Sequence, residues 1–299
     1  MKKYAYFPGC SLEKMALSYH NSTMETTKKL GIDLVELDDW NCCGATAYFH
    51  IDELLAYTLC ARNIAIAEKE KLDLVAPCAA CYKNSYFTNA DLKKDPELAD
   101  HINFALEEDD LQFNGNISIL HLIEVFTKDV GYEAIKAKVT KPLEGLRVAP
   151  YYGCQILRPK KDRENENIEN PSFFEELMSS IGAEPVEYAN KLKCCSGALI
   201  ITNRHAALSM ARNLLQDAIT SGASVIATAC PMCQVNLECY QKQVNQEFGT
   251  DYSIPVLYFT QLIGLAFGIS TNKLGIGSEL VLPTPVLSQV RRSKAAKAG

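Results

Sequence analysis

Cysteine thiolates ligate soft metals and do redox chemistry, and this chain places ten of its twelve cysteines in one pattern written twice. The first copy is Cys10, the adjacent pair Cys42-Cys43, then Cys78 and Cys81. The second is Cys154, the pair Cys194-Cys195, then Cys230 and Cys233. In both copies 34 residues separate the pair from the closing C-x-x-C; the first interval is 31 residues in one copy and 39 in the other. A spacing kept to the residue across two halves of a chain points to two equivalent sites. Sets of thiolates hold zinc or iron–sulfur clusters. Structural zinc takes four ligands, and each copy here supplies five. The two members of a vicinal pair also point differently along the backbone. That suits bridging, or two different irons, better than one tetrahedral ion. The competing readings are two zinc sites with a spare thiol each, a disulfide framework, and thioredoxin-like dithiols at the two C-x-x-C turns. Vicinal pairs in a long chain fit a disulfide framework poorly, and the dithiol reading leaves six cysteines unexplained.

The composition narrows the setting. The chain has 299 residues, 47% of them hydrophobic and 22% charged, which is ordinary for a globular protein with room for two cores. The net charge of −6 gives no basic footprint for nucleic acid. No apolar run reaches the roughly 18 residues of a membrane span, and Met1-Lys2-Lys3-Tyr4 leads directly into a short strand rather than a secretory signal. A cytoplasmic location is therefore expected, where thiols stay reduced and clustered cysteines signify metal or catalysis.

The elements that must position these sulfurs alternate. In the first copy a strand at 4–7 ends at Pro8-Gly9, with Cys10 just beyond. A helix over 15–30 leads to a strand at 34–37, followed by the Cys42-Cys43-Gly44 turn. A helix over 52–70 leads to a strand at 72–75, which ends at Cys78 and opens another helix. Short helical content at most is expected in the acidic stretch 91–116, a helix over 119–130, and a boundary within 131–146. The second copy repeats the plan: a strand at 147–149, a charged loop at 158–171 that lengthens the first interval, a helix at 172–181 and a strand at 185–188. Then come a helix at 204–221, a strand at 224–228 and a helix at 259–267. The two long helices share an Ala-Arg-Asn at 61–63 and 211–213. Such alternation predicts an α/β fold of two similar Rossmann-like lobes with mostly parallel sheets, related by a pseudo-twofold internal repeat. The expected domains are 1–145 and 146–288, with a disordered basic tail over 289–299. Ligand sites of open parallel sheets gather beyond the carboxyl ends of the strands, and every cysteine group of the pattern falls there.

From Tyr6-Phe7-Pro8-Gly9-Cys10, through Lys141 to Leu146 and Ala149-Pro150-Tyr151-Tyr152-Gly153-Cys154, to Thr260-Gln261-Leu262, the chain resembles the B subunit of heterodisulfide reductase, built of two cysteine-rich CCG domains. The resemblance implies two noncubane [4Fe-4S] clusters. Cys10, Cys42, Cys43, Cys78 and Cys81 would hold the first, and Cys154, Cys194, Cys195, Cys230 and Cys233 the second. It implies reductive cleavage of a disulfide held between facing clusters, one sulfur toward each. The implied partners are an iron–sulfur C subunit and a flavin-bearing A subunit. In methanogens the family acts on the coenzyme M–coenzyme B heterodisulfide, as part of methanogenesis. Similar CCG proteins serve instead as electron-transfer subunits of lactate, glycolate or glycerol-3-phosphate dehydrogenases and pass electrons toward quinone. One departure stands out: Cys194-Cys195-Ser196-Gly197 has serine where the pattern has glycine, which predicts an altered turn with ligation kept.

Outside the pattern, Cys60 and Cys239 read as small buried side chains. His50 and His205, which follow the vicinal pairs at comparable distances, are candidate proton donors to a leaving thiolate, or else surface or capping residues. Tyr6 and Tyr152 either line the substrate cavity or pack in the core. Arg158, Lys160, Lys161 and Arg163 form a charge run that is solvated or docks an acidic partner.

Overall fold

The computed structural model describes residues 2–45, 48–158 and 167–288. The chain opens with β1 (Lys2–Tyr6), α1 (Leu17–Leu30) and β2 (Ile32–Glu36). Next come α2 (Glu53–Lys69), β3 (Leu74–Ala76), α3 (Ala79–Leu92), α4 (Pro96–Leu106) and β4 (Ile119–His121). The four strands form one parallel sheet in the order β2-β1-β3-β4. The second half supplies β5 (Arg147–Tyr151), α5 (Phe173–Ser180), β6 (Glu184–Pro185), α6 (Arg204–Thr220), β7 (Val225–Thr228), α7 (Pro231–Glu238), α8 (Gln241–Phe248), β8 (Val256–Tyr258) and α9 (Phe259–Ala266). Its sheet is again parallel, in the equivalent order β6-β5-β7-β8. Strands covered on both faces carry unbroken apolar runs: β3 (Leu-Val-Ala) and β7 (Val-Ile-Ala-Thr) are buried throughout. The expected α/β repeat of two lobes is what the chain forms.

Local chemistry sets the helix ends. Asp52 accepts from Leu55 N at the start of α2, and Asn203 from Ala206 N at the start of α6. Each satisfies an amide that the first turn leaves open. The same device explains one helix the sequence reading understated. Within 91–116, Asp95 caps α4, accepting from Leu98 N, with Pro96 at the first helical position.

Two further elements differ from expectation. The stretch 119–130 does not begin as a helix: Ile119–His121 pairs with β3 as a fourth strand before a short helix and a π-type turn complete it. Its counterpart β8 was likewise unread. Three apolar residues running directly into an apolar helix carry no periodicity that separates strand from helix. The tail 289–299 lies outside the described residues.

The lobes share a core. Phe259, fully buried, packs edge-on against Phe126 of the first lobe, with ring centroids 5.2 Å apart, and against Phe174 of its own. Helix α1 lies on α9, where Ser22 Oγ and Thr260 Oγ1 are 2.7 Å apart. Burying a side chain the size of phenylalanine stabilises a fold by about 1.5–3 kcal/mol. The relative placement of the lobes, and hence of their cysteines, thus rests on aromatic packing.

Candidate functional site

All ten patterned cysteines line one cavity, to which both lobes contribute. Parallel strands that end at one edge bring this about. Cys10 follows β1, Cys78 ends the loop after β3, and Cys154 and Cys230 stand at the same places after β5 and β7. Cys78 and Cys230 are the N-caps of α3 and α7. The Cys81 and Ala80 amides favour a thiolate at Cys78, whereas at Cys230 contact with Cys233 lowers the thiol but contact with Cys78 and burial outweigh it and hold it above the ordinary range.

The sulfurs are close and electrostatically crowded. Cys43 Sγ lies 3.4 Å from Cys81 Sγ, and Cys154 Sγ 3.6 Å from Cys194 Sγ. The thiols of Cys10 and Cys43, then the amides of Gly44 and Ala45, hold Cys42 well below the ordinary thiol range. Cys154 and Cys195, then the Ser196 amide, do the same to Cys194. Cys78 is also lowered, first by contact with Cys230 of the other lobe, then by Cys81. Contact with Cys42 in turn raises Cys10 and Cys43, and contact with Cys194 raises Cys154 and Cys195. In each nest the thiolate form is thus favoured at one sulfur and disfavoured at its neighbours. At an effective dielectric of 20, two like charges 4 Å apart repel by about 4 kcal/mol, so positive charge among the sulfurs would favour further ionisation. The sulfurs ring a space rather than a point. Among the described residues no three His, Cys, Asp or Glu side chains are preset around one metal ion.

Glycine keeps the walls close. Gly9 and Gly153, each just before the first cysteine of its copy, have φ of 69° and 67°. A Cβ on Gly9 would stand 2.9 Å from Cys81 Sγ, and one on Gly153 would stand 3.2 Å from Cys233 Sγ. A side chain at Gly9 would force the turn or the Cys81 sulfur to shift, and one at Gly153 would press on the Cys233 sulfur by a few tenths of an ångström. After the vicinal pair the copies diverge as the sequence implied: Gly44 alone takes a left-handed φ of 67° in the first, whereas Ser196 (81°) and Gly197 (55°) both do in the second. A serine there carries strain of about 1–3 kcal/mol.

The other candidates separate. Tyr152 lines the cavity, and its hydroxyl donates to buried Glu175, which pairs with Lys191 at 2.7 Å. Tyr6 is a core residue with its hydroxyl toward His20. His50 is exposed, and exposed His205 sits 2.9 Å from Glu247. Neither histidine lines the cavity. Cys60 is fully buried and donates to the Cys43 carbonyl at 3.3 Å; half-buried Cys239 lies outside the cavity wall. None of the twelve cysteines is bridged. Arg158 reaches the Cys154 carbonyl at 3.1 Å and its charge favours the Cys194 thiolate, so it touches the site rather than only solvent. Lys160, Lys161 and Arg163 lie outside the described residues.

The sequence reading missed Asn84 and Asn236. Each stands three residues beyond its C-x-x-C, is buried, and donates to the vicinal pair's backbone. The signal was present as Cys-x-x-Cys-x-x-Asn in both copies.

Ten thiols converging from two repeats on one cavity is an arrangement that comparison can place. The CCG (cysteine-rich domain) family matches residues 4–84 and 148–238. This chain belongs to the CCG family. Among relatives, it is 36% identical over 293 residues to the B subunit of the ferredoxin:CoB-CoM heterodisulfide reductase of Methanosarcina mazei, covering 97% of each chain. It is 34% identical over 280 residues to the 8-methylmenaquinol:fumarate reductase membrane anchor subunit of Wolinella succinogenes, covering 94% of this chain and 97% of that one. No described helix of this CCG protein is long and apolar enough to cross a membrane. In fold it matches a hypothetical protein of known crystal structure from Helicobacter pylori. The TM-score is 0.74 at 17% identity, over 94% of this chain and 52% of that one. CCG membership and close-set thiols support iron–sulfur binding and an electron-transferring, oxidoreductase role in a multi-subunit reductase.

Proposed function

We propose that this CCG protein is the disulfide-reducing subunit of a heterodisulfide reductase-type complex. Its two [4Fe-4S] clusters are of the noncubane type. One is held by Cys10, Cys42, Cys43, Cys78 and Cys81, the other by Cys154, Cys194, Cys195, Cys230 and Cys233. The observation that carries this reading is the single cavity lined by both sets, with the Tyr19 hydroxyl reaching the carbonyls of Pro77 and Ala229, which precede Cys78 and Cys230. The donor set fits such a group: five thiols per nest, crowded so that positive charge among them favours ionisation, and glycine cradles against Cys81 and Cys233.

When bound, the clusters supply electrons at two neighbouring points, and a disulfide takes up two electrons and two protons to give two thiols. The chain's own residues do the rest. Tyr152 closes one wall, with its hydroxyl drawn to Glu175 so that the ring, not the polar tip, meets the cavity. Small neutral residues (Ser11, Ala45, Ala79, Ala80, Gly197) line the cavity between the sulfurs, of which those of Cys10 and Cys42 belong to exposed residues and those of Cys154 and Cys194 to half-buried ones. Electrons reach the chain from an iron–sulfur partner and a flavin-bearing partner in the same complex.

The Wolinella relative, named for 8-methylmenaquinol and fumarate, favours a second reading, in which the chain passes electrons to or from a quinone. Anaerobically purified protein decides between them. The first reading expects about eight irons per chain and turnover of a disulfide by the reduced protein. The same iron content with no disulfide turnover and rapid oxidation by a quinone supports the second. Zinc in place of iron sinks both.

A further inference from the structure

Asn84 and Asn236 are 3% and 1% exposed, and both aim a side-chain amide at the vicinal cysteines. Asn236 Nδ2 lies 2.9 Å from the Cys195 carbonyl, 2.8 Å from the Gly197 carbonyl, 3.4 Å from Ser196 Oγ and 3.6 Å from Cys195 Sγ. Asn84 Nδ2 makes the looser version, 3.3 Å from the Cys43 carbonyl and 4.0 Å from Cys43 Sγ. The difference follows the turn. The first copy has a glycine at its left-handed position, whereas the second has Ser196, and Asn236 grips the backbone on both sides of it.

We infer that Asn84 and Asn236 are positioning residues that fix the vicinal cysteines and raise the reduction potential of the cluster each pair ligates, Asn236 more than Asn84. The inference rests on the cluster reading above. An amide has two N–H groups. In the second copy the two carbonyls take both, and the sulfur sits beside the same positive end of the dipole. A cluster that gains an electron becomes more negative, and a positive dipole 3.6 Å from a ligand sulfur stabilises that state. Hydrogen bonds to the sulfurs are one of the levers that set such potentials, and residues that hold a ligand in place tune a metal centre without touching the metal. Two clusters on one repeated scaffold thereby acquire unequal potentials, which gives electron flow between the lobes a direction.

The test is an anaerobic potentiometric titration followed by electron paramagnetic resonance. In wild type, two midpoints are expected. Asn236→Leu should lower the higher one and leave the other in place; Asn84→Leu should lower the other by less, with iron content kept in both. Unmoved midpoints in variants that keep their iron overturn the inference while the cluster reading stands; wild-type protein without iron overturns both. Should a leucine variant lose iron, the wild type itself decides. Asparagine carrying the heavy nitrogen isotope should alter the nitrogen coupling of the reduced clusters in pulsed resonance, and no such coupling overturns the inference.

Discussion

The rings of Tyr19 and Tyr258 stack face to face between the lobes, with centroids 4.2 Å apart and planes 4° from parallel. The Tyr19 hydroxyl then lies 3.2 Å from the Pro77 carbonyl and 3.4 Å from the Ala229 carbonyl. Those residues immediately precede Cys78 and Cys230. One side chain therefore bridges the two C-x-x-C turns, and the contact between the cysteine sets is held by the same aromatic layer that joins the lobes.

Removing only that hydroxyl should be mild and removing the ring severe. Tyr19→Phe leaves the stack and should cost about 1 kcal/mol of unfolding free energy. Tyr19→Ala removes a fully buried ring and should cost about 3–5 kcal/mol, with loss of iron from both nests. Denaturant unfolding under argon with parallel iron analysis checks both; equal costs for the two variants would show that the stack contributes nothing.

The glycines before Cys10 and Cys154 make a graded prediction. Gly9→Ala adds a Cβ 2.9 Å from Cys81 Sγ at a left-handed φ, and Gly153→Ala adds one 3.2 Å from Cys233 Sγ. Each should destabilise by about 1–3 kcal/mol. Gly9→Ala should be the worse and should deplete iron first. Thermal melts and iron counts measure this, and a Gly9→Ala protein with full iron contradicts it.

Much of this site was legible because residue type and spacing alone pick out the ten cysteines that line the cavity. Cys42-Cys43 to Cys78 and Cys194-Cys195 to Cys230 announce themselves without any structure. The strand–helix alternation around them was readable for the same reason that β3 and β7 are buried: apolar runs between breakers. What was not readable depended on tertiary partners. Ile119–His121 is a strand only because β3 lies beside it. Tyr6 and Tyr152 looked equivalent, yet Tyr6 lies four residues before Cys10 inside β1, and Tyr152 two before Cys154 past the end of β5. Asn84 and Asn236 were passed over because an asparagine in a helix has no chemistry until the turn it holds is seen.

The cysteines themselves separate ligand from packing. Cys43→Ala and Cys195→Ala should each remove about half of the iron and abolish turnover, since each deletes one of the five sulfurs proposed for its cluster. Cys60→Ala should keep the iron and lose about 1 kcal/mol, for a buried thiol and its bond to the Cys43 carbonyl. Iron analysis beside a chemical melt tests all three; loss of iron in Cys60→Ala would add a ligand to the first nest.

Glu238 gives the chain a pH dependence away from the sulfurs. Burial, with Glu279 adding to it, raises its carboxyl to about 6 from 4.5, against donation from the Val281 amide and from Gln234. A folded-state value above the unfolded one means the folded protein binds the proton more tightly. The stability it contributes is then complete below about 4.5 and lost as pH rises through about 6. Glu238→Gln keeps an acceptor for Val281 without the charge. At pH above about 7 the variant should be more stable than wild type by about 1 kcal/mol, after allowing for solvent screening. The gap should close as the solution is acidified through about 6 toward 4.5. Denaturation midpoints across that range read the difference directly, and a gap that widens on acidification would mean that the carboxylate, not the carboxylic acid, is the form this pocket favours.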